Sequence, residues 1–262
     1  MELSLAGRRV FAGTGGRAWE AGLPTVALLH GAGMDHTVWA LQARALAHRG
    51  RNVLALDLAG HGGSAGPPCA SIEAMAGWVL DAVDAAGVGA FRIAGHSMGA
   101  LVGLETAALA GARAEALALV GFAPEMRVHP DLIAAACAGE HAALEMMVSW
   151  SLGLMGMCGA NPAPGLSCAG AALRLLERAA RESLAVDLAA CDAYRGAAAT
   201  AAKISAPTLL LLGGEDRMTP TGQALSFAPH FAAARSRVLA GIGHLLPIEA
   251  PVPVLDALAA IL

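Results

Sequence analysis

A serine, an aspartate and a histidine, met in that order along a chain, can together turn an ordinary alcohol into a nucleophile. A serine hydroxyl attacks a carbonyl poorly unless an imidazole takes its proton. The imidazole in turn keeps the useful tautomer when a carboxylate holds its other nitrogen. Ser97 lies in Gly95-His96-Ser97-Met98-Gly99, a Gly-x-Ser-x-Gly pattern. Asp216 follows within Gly213-Gly214-Glu215-Asp216-Arg217-Met218-Thr219-Pro220, and His244 closes Gly241-Ile242-Gly243-His244. In a chain with 32 glycines the pattern around Ser97, taken alone, reads equally well as an ordinary turn. The partners that follow it favour the chemical reading. Asp216 rather than Glu215 is expected to orient His244, because adjacent side chains on a tight turn point in different directions.

Each of these residues needs an element to hold it. Phe91 and Ile93 alternate with small or polar neighbours as in a short strand, and from Met98 the apolar residues Leu101, Val102 and Leu109 recur at helical spacing. A strand therefore meets a helix at Ser97. A turn this sharp strains the serine backbone, and side chains at positions 95 and 99 would collide with neighbouring elements. The buried strand Pro207–Leu212 leads to Asp216, and the strand Ser236–Leu239 leads to His244. All three residues thus sit just past the C-terminal end of a strand, on the edge where open α/β sheets place their sites.

With the order Ser, Asp, His on such edges, the chain resembles the α/β-hydrolases, and the resemblance covers essentially its whole length. Three further motifs carry it. Gly213, Asp216 and Pro220 match the family's Gly-x-x-Asp-x-x-x-Pro; Gly243, His244, Glu249 and Pro251 match its Gly-His segment; Asp57, Gly60, Gly62 and Ser64 match Asp-x-x-Gly-x-Gly-x-Ser. The resemblance implies an α/β fold with a mostly parallel central sheet flanked by helices and an inserted helical cap. It also implies an oxyanion hole from two backbone N–H groups. One belongs to the residue after the nucleophile, Met98, and the other to the loop His30-Gly31-Ala32-Gly33, with Ala32 chosen and Gly33 its rival.

The activity implied is that of a serine hydrolase, most simply a carboxylesterase working through an acyl-enzyme, with no cofactor. A serine at position 97 sets the chain apart from relatives resembling haloalkane dehalogenases and epoxide hydrolases, which place aspartate there. Relatives that hydrolyse C–C bonds typically show asparagine where His96 stands. Lactonases, thioesterases and cofactor-free perhydrolases share the same triad, and a slow-turnover ligand receptor is the alternative outside catalysis.

The remaining sequence sets the frame. A length of 262 residues suits one core domain with an insertion: core residues 1–124, a cap at 125–203, and core again at 204–262. Leu3, Leu5 and then Val10, Phe11 suggest two antiparallel strands. Thr25–Leu29, Asn52–Leu56 and Leu117–Phe122 read as buried strands, with helices over 37–49 and from Ser71 to Val83. Helices are expected over 132–143, 144–154, 173–181, 223–227 and 253–262. His30 is expected to order its loop by hydrogen bonds, and Asp57 with His61 to brace the edge of the sheet. The glycines at 13, 15 and 16 lack the full dinucleotide fingerprint.

A formal charge of −4 with no Lys/Arg-rich run gives no reason to expect nucleic acid. No basic, then apolar, N-terminal run suggests secretion, and five cysteines without Cys-x-x-Cys spacing favour reduced thiols, so a cytoplasmic location is expected. No metal site is expected, because neither the cysteines nor the nine histidines show ligand spacing. Residues 146–173 contain no charge, but glycines and the segment Asn161-Pro162-Ala163-Pro164 interrupt them, so no membrane span is expected. Met146, Met147, Met155 and Met157, with Trp150 between them, are expected to wall an adaptable apolar pocket for small, uncharged ester substrates.

Overall fold

Strands whose residues are apolar without alternation must be covered on both faces, and the centre of this molecule is built from such strands. The structure, a computed structural model, describes residues 1–159, 167–178 and 181–262. Its strands are β1 (Glu2–Leu5), β2 (Arg8–Gly13), β3 (Thr25–Leu29), β4 (Asn52–Leu56), β5 (Phe91–His96), β6 (Ala114–Val120), β7 (Thr208–Gly213) and β8 (Ala234–Leu239). Every residue of β3, β4 and β7 is buried. The first helices are α1 (Ala40–His48), α2 (Ile72–Ala85) and α3 (Met98–Ala110). Between β6 and β7 come α4 (Pro130–Cys137), α5 (His141–Ser151), α6 (Leu154–Met157), α7 (Cys168–Arg178), α8 (Arg181–Ala193) and α9 (Ala197–Ala201). The chain closes with α10 (Thr221–Phe227), α11 (Leu246–Glu249) and α12 (Pro251–Ala259).

The eight strands form one sheet in the order β1-β2-β4-β3-β5-β6-β7-β8. The pairs β1/β2 and β2/β4 are antiparallel, and every pair from β4 to β8 is parallel. This is the mostly parallel, helix-flanked sheet expected from the sequence. After β3 the chain steps to one side to form β4, then crosses to β5 on the other side and continues outward to β8. The order therefore reverses between β3 and β5, and the loops leaving their C-terminal ends diverge to open a crevice. His30–Gly33 and Ser97 stand at those two ends. Trp39, fully buried, ties the region together by donating its indole N–H to the Leu29 carbonyl at 2.9 Å.

Local boundaries differ from the sequence expectation where backbone geometry intervenes. The helix expected over 37–49 begins as a 3-10 turn, His36–Trp39, capped by the Asp35 side chain. The strand placed at 117–122 runs from Ala114 to Val120, because Gly121 turns at φ +60. The expected helix over 132–143 is cut by Gly139 at φ +66, which ends α4 and lets α5 start at His141. Helix α7 ends at Arg178, and α8 falls within the expected helical stretch 125–203, where the sequence marks no separate helix. Ser71 caps α2 as expected, accepting the Ala74 N–H at 3.2 Å. The Asn161–Pro164 break lies outside the described residues.

Candidate active site

The sharp turn between β5 and α3 fixes the first group. Ser97 has φ 56 and ψ −121, a backbone conformation that a side-chain-bearing residue adopts only under strain. Its neighbours explain the flanking glycines. A Cβ on Gly95 would overlap the Gly99 carbonyl oxygen, and one on Gly99 would stand 2.5 Å from the carbonyl oxygens of Leu29 and His30. Gly95→Ala is accordingly expected to destabilise the protein by about 3 kcal/mol or more, since the clash is with backbone that cannot move aside. Gly77→Ala, on α2 with open space around it, should be neutral or stabilising by up to about 1 kcal/mol. Chemical denaturation of the two variants checks the contrast.

The other two groups meet Ser97 from the loops after β7 and β8. His244 Nε2 lies 2.8 Å from Ser97 Oγ, and its Nδ1 lies 2.8 Å from Asp216 Oδ2. Asp216 Oδ1 accepts the N–H groups of Met218 and Thr219, and the Thr219 hydroxyl donates to Oδ2 at 2.6 Å. Burial works to raise the Asp216 pKa, but the His244 charge, its hydrogen bond and the Thr219 donors outweigh it and hold the carboxyl below its ordinary value. Glu215 points elsewhere, accepting the Leu154 N–H at 2.7 Å.

The backbone around His244 is held by the helices between β6 and β7. The Ser151 carbonyl accepts the His244 N–H at 2.5 Å. Glu249 accepts the N–H groups of Gly243 and Gly153, and burial pushes its carboxyl up. On the elbow side, His96 donates Nε2–H to the His244 carbonyl at 2.9 Å. Burial and the nearby His244 imidazole push the His96 pKa down to about 3, so it stays neutral.

Two candidate backbone N–H groups come from the loop after β3 and from the start of α3. Those of Ala32 and Met98 have no hydrogen-bond partner among the described residues, and Ala32 borders the same cavity as Ser97 and His244. The Gly33 N–H is already donated to Asp187 Oδ2 at 2.8 Å. His30 orders the loop, lying 2.9 Å from the Gly31 carbonyl through Nδ1 and accepting the Leu58 N–H at Nε2. Burial and the neighbouring His61 lower its pKa to about 4.

Residues 26–257, nearly all of the chain, match the alpha/beta hydrolase family. The chain belongs to that family. Within it, the chain is 40% identical over 105 residues to the dihydrolipoyllysine-residue acetyltransferase component of the acetoin cleaving system of Pseudomonas putida, covering 40% of this chain and 28% of that protein. It is 39% identical over 101 residues to a putative carbamate hydrolase of Klebsiella pneumoniae, covering 38% of each. The matches thus span well under half the length of these curated relatives. Among solved alpha/beta hydrolases, an enol-lactonase from Burkholderia xenovorans superposes with a TM-score of 0.87 at 24% identity, covering 100% of this chain and 99% of that one. A thermophilic esterase from Thermogutta terrifontis superposes at 0.82 with 21% identity, covering 99% and 96%. At these identities the likeness establishes the fold.

In this alpha/beta hydrolase a cavity of about 320 Å³ reaches Ser97 and His244. Met147 and Trp150, two of the five residues expected to wall a pocket, line it together with Met34, Met126 and Met218 from loops. Met146 is half-buried outside the lining, and Met155 and Met157 are 54% and 45% exposed. Their placement corrects the expectation of a methionine wall across 146–157: α6 is a single turn of four residues and has no inward face long enough to reach the cavity. Nor is the lining apolar throughout, as was expected of the pocket. Arg127, His129 and Arg217, all exposed, form part of the lining, and they come from outside the uncharged run. Arg217 donates to the Ser149 and Leu152 carbonyls at the C-terminal end of α5, and Arg127 pairs with Glu125 at 3.3 Å.

The fold also gathers Asp35, His36 and Asp57. Protein donors already occupy these carboxylates: Thr37 and Arg178 on Asp35, His36 and Gly63 on Asp57. These bonds tie the loop after β3 to the loop after β4. Among the described residues no helix is long and apolar enough to cross a membrane.

Proposed function

We propose that this alpha/beta hydrolase cleaves carboxylic esters with apolar acyl chains through an acyl-enzyme on Ser97. The observation that supports it is the unbroken hydrogen-bonded chain from Ser97 Oγ through His244 to Asp216, set on a strained elbow. In this reading His244 Nε2 takes the Ser97 proton as Oγ attacks the ester carbonyl. The carbonyl oxygen becomes an oxyanion held by the N–H groups of Ala32 and Met98, each worth about 3 kcal/mol. Collapse breaks the C–O bond, and His244 returns the proton to the leaving alcohol. Water then attacks the acyl-serine with His244 again as base, releasing the acid. Residues 125–203 serve as a cap over the acyl pocket, set between core segments 1–124 and 204–262.

A lactone joins acyl and alcohol parts in one ring and fits the same chemistry, and relatives bearing lactonase and carbamate hydrolase names make both worth including. The test is a panel of p-nitrophenyl esters, γ-lactones and carbamates, with the acyl-serine trapped by rapid quench and located by mass. Turnover without an acyl adduct on Ser97 would overturn the proposal.

Chain length offers a second readout. Each methylene buried adds about 0.8 kcal/mol, roughly fourfold in kcat/KM, until the cavity is full. From acetate to butyrate or hexanoate, kcat/KM should rise and then fall. Met147→Ala and Trp150→Ala should move that maximum to longer chains, while Met155→Ala and Met157→Ala leave it in place. A profile unmoved by the first pair, or moved by the second, counts against the pocket as drawn.

A further inference from the structure

Helix α8 carries Leu184, Asp187, Leu188 and Cys191 at spacings of three and four, so they share one stripe of the helix. Leu188 and Cys191 line the cavity that reaches Ser97. Leu184 lies against Gly33, where an added Cβ would stand 2.8 Å from its Cδ1. Asp187, fully buried between them, accepts the Gly33 N–H at 2.8 Å and meets His61 Nε2 at 2.8 Å through the same oxygen. Its other oxygen has no partner among the described residues.

His61 reveals the charge state. Its Nδ1 faces the Ala59 carbonyl at 3.0 Å and its Nε2 faces the Asp187 carboxylate. A carbonyl and a carboxylate only accept, so the imidazolium is the form of His61 that serves both neighbours. Burial opposes that proton, but the bond and charge of Asp187 prevail and leave the His61 pKa raised. A buried ion pair is a poor device for stability, because desolvation consumes what attraction returns. One with an unpartnered oxygen is poorer still. What the pair does hold is a single backbone N–H on the loop that carries Ala32.

That loop is a turn closed by the Met34 N–H on the Gly31 carbonyl at 3.2 Å. Gly33 has φ +64 and Ala32 does not enter the positive range, the signature of a type II turn. A type II turn differs from type I by rotation of its central peptide, here the one joining Ala32 to Gly33. Rotation would turn the Ala32 carbonyl oxygen toward the Asp187 carboxylate in place of the Gly33 N–H.

We propose that Asp187 is a positioning residue for the oxyanion site: by holding the Gly33 N–H it fixes the central peptide of the Gly31–Met34 turn, and through it the place of the preceding peptide, whose Ala32 N–H serves the reacting oxygen. A proton on His61 would offset the charge of the carboxylate in the neighbourhood of the oxyanion. The helices between β6 and β7 thereby take part in transition-state stabilisation as well as walling the cavity. This rests on the acyl-transfer reading above.

The test compares Asp187→Ala with Asp187→Asn, whose amide oxygen, placed as Oδ2 is now, still accepts from the Gly33 N–H and from His61 Nε2, with the NH₂ where the unpartnered oxygen stands. Asp187→Ala should lower kcat about 10- to 100-fold, less than outright removal of an oxyanion donor, with KM moved less than about threefold. Its affinity for a trifluoromethyl ketone, which forms a tetrahedral adduct on Ser97, should fall in the same proportion. Asp187→Asn should stay within about fivefold of the parent on both measures. Equal losses in the two variants, or an unmoved kcat in folded Asp187→Ala, overturn the proposal. Amide exchange in the parent enzyme gives a check that needs no variant: the Gly33 N–H should be protected, and exchange as fast as an open loop overturns the lock. A parent that processes no acyl substrate and takes no label at Ser97 overturns the acyl-transfer reading instead.

Discussion

Ser97→Ala should lower kcat about 10⁶-fold, with all labelling by a fluorophosphonate probe lost at the same time. The size follows from the interdependence of the parts. Without Oγ there is no atom for His244 to deprotonate, and the hydrogen-bonded chain ending 2.8 Å from that oxygen has nothing to activate. What remains is the small acceleration that the N–H groups of Ala32 and Met98 can give to direct attack by water. Fold should be unaffected, because alanine at 97 keeps the same Cβ and the Ser97 backbone bonds to Val120 and Ala100 remain. Steady-state assays with the labelled peptide located by mass decide the matter. Label that persists on another serine, or turnover within tenfold of the parent, would remove Ser97 from its role.

Asp216→Asn comes next in size, at about 10⁴-fold in kcat, while Glu215→Gln should stay near the parent. The two carboxylates are neighbours in sequence and part company in space. Asp216 is 8% exposed and faces His244 Nδ1; Glu215 is exposed and serves the Leu154 N–H. Asparagine would keep most contacts but offer its NH₂ or an uncharged oxygen to the ring, favouring the wrong tautomer and leaving the developing imidazolium uncompensated. The pH dependence has a definite sign. A carboxyl held below its ordinary value of 3.8 contributes its stabilisation fully above that value and loses it only as pH falls through the lower folded pKa. Acid loss attributable to Asp216 should therefore set in below pH 3.8. If Glu215→Gln is the crippling change, the assignment is reversed.

The parts of the site that were legible in the sequence are those fixed by short-range geometry. Gly95 and Gly99 are dictated by backbone atoms a few residues away or on the adjacent strand, so a five-residue pattern records them. Strands such as β3 and β7 are legible because burial on both faces leaves no alternation to confuse with a helix. Helix α8 was missed for the opposite reason. Glu182, Asp187 and Asp192 give it the look of a solvated segment, and nothing local says that Asp187 is fully buried against a glycine loop 154 residues away. Composition misled at 146–157 too. Apolar residues on the one-turn helix α6 stay exposed because a single turn cannot bury a stripe, whereas Met34, Met126 and Met218 reach the cavity from loops where no hydrophobic period marks them.

His244 hangs by its own N–H from the carbonyl of Ser151, at the end of α5. Prising α5 away from the sheet would cut that tether, so opening the roof like a hinged door would disarm the imidazole. Protein engineers would meet the same tether from another side. A chimaera that exchanges the stretch between Val120 and Thr208 for that of another hydrolase must carry over the residues around Ser151 and Gly153, or it loses the backbone bonds that hold Gly243 and His244.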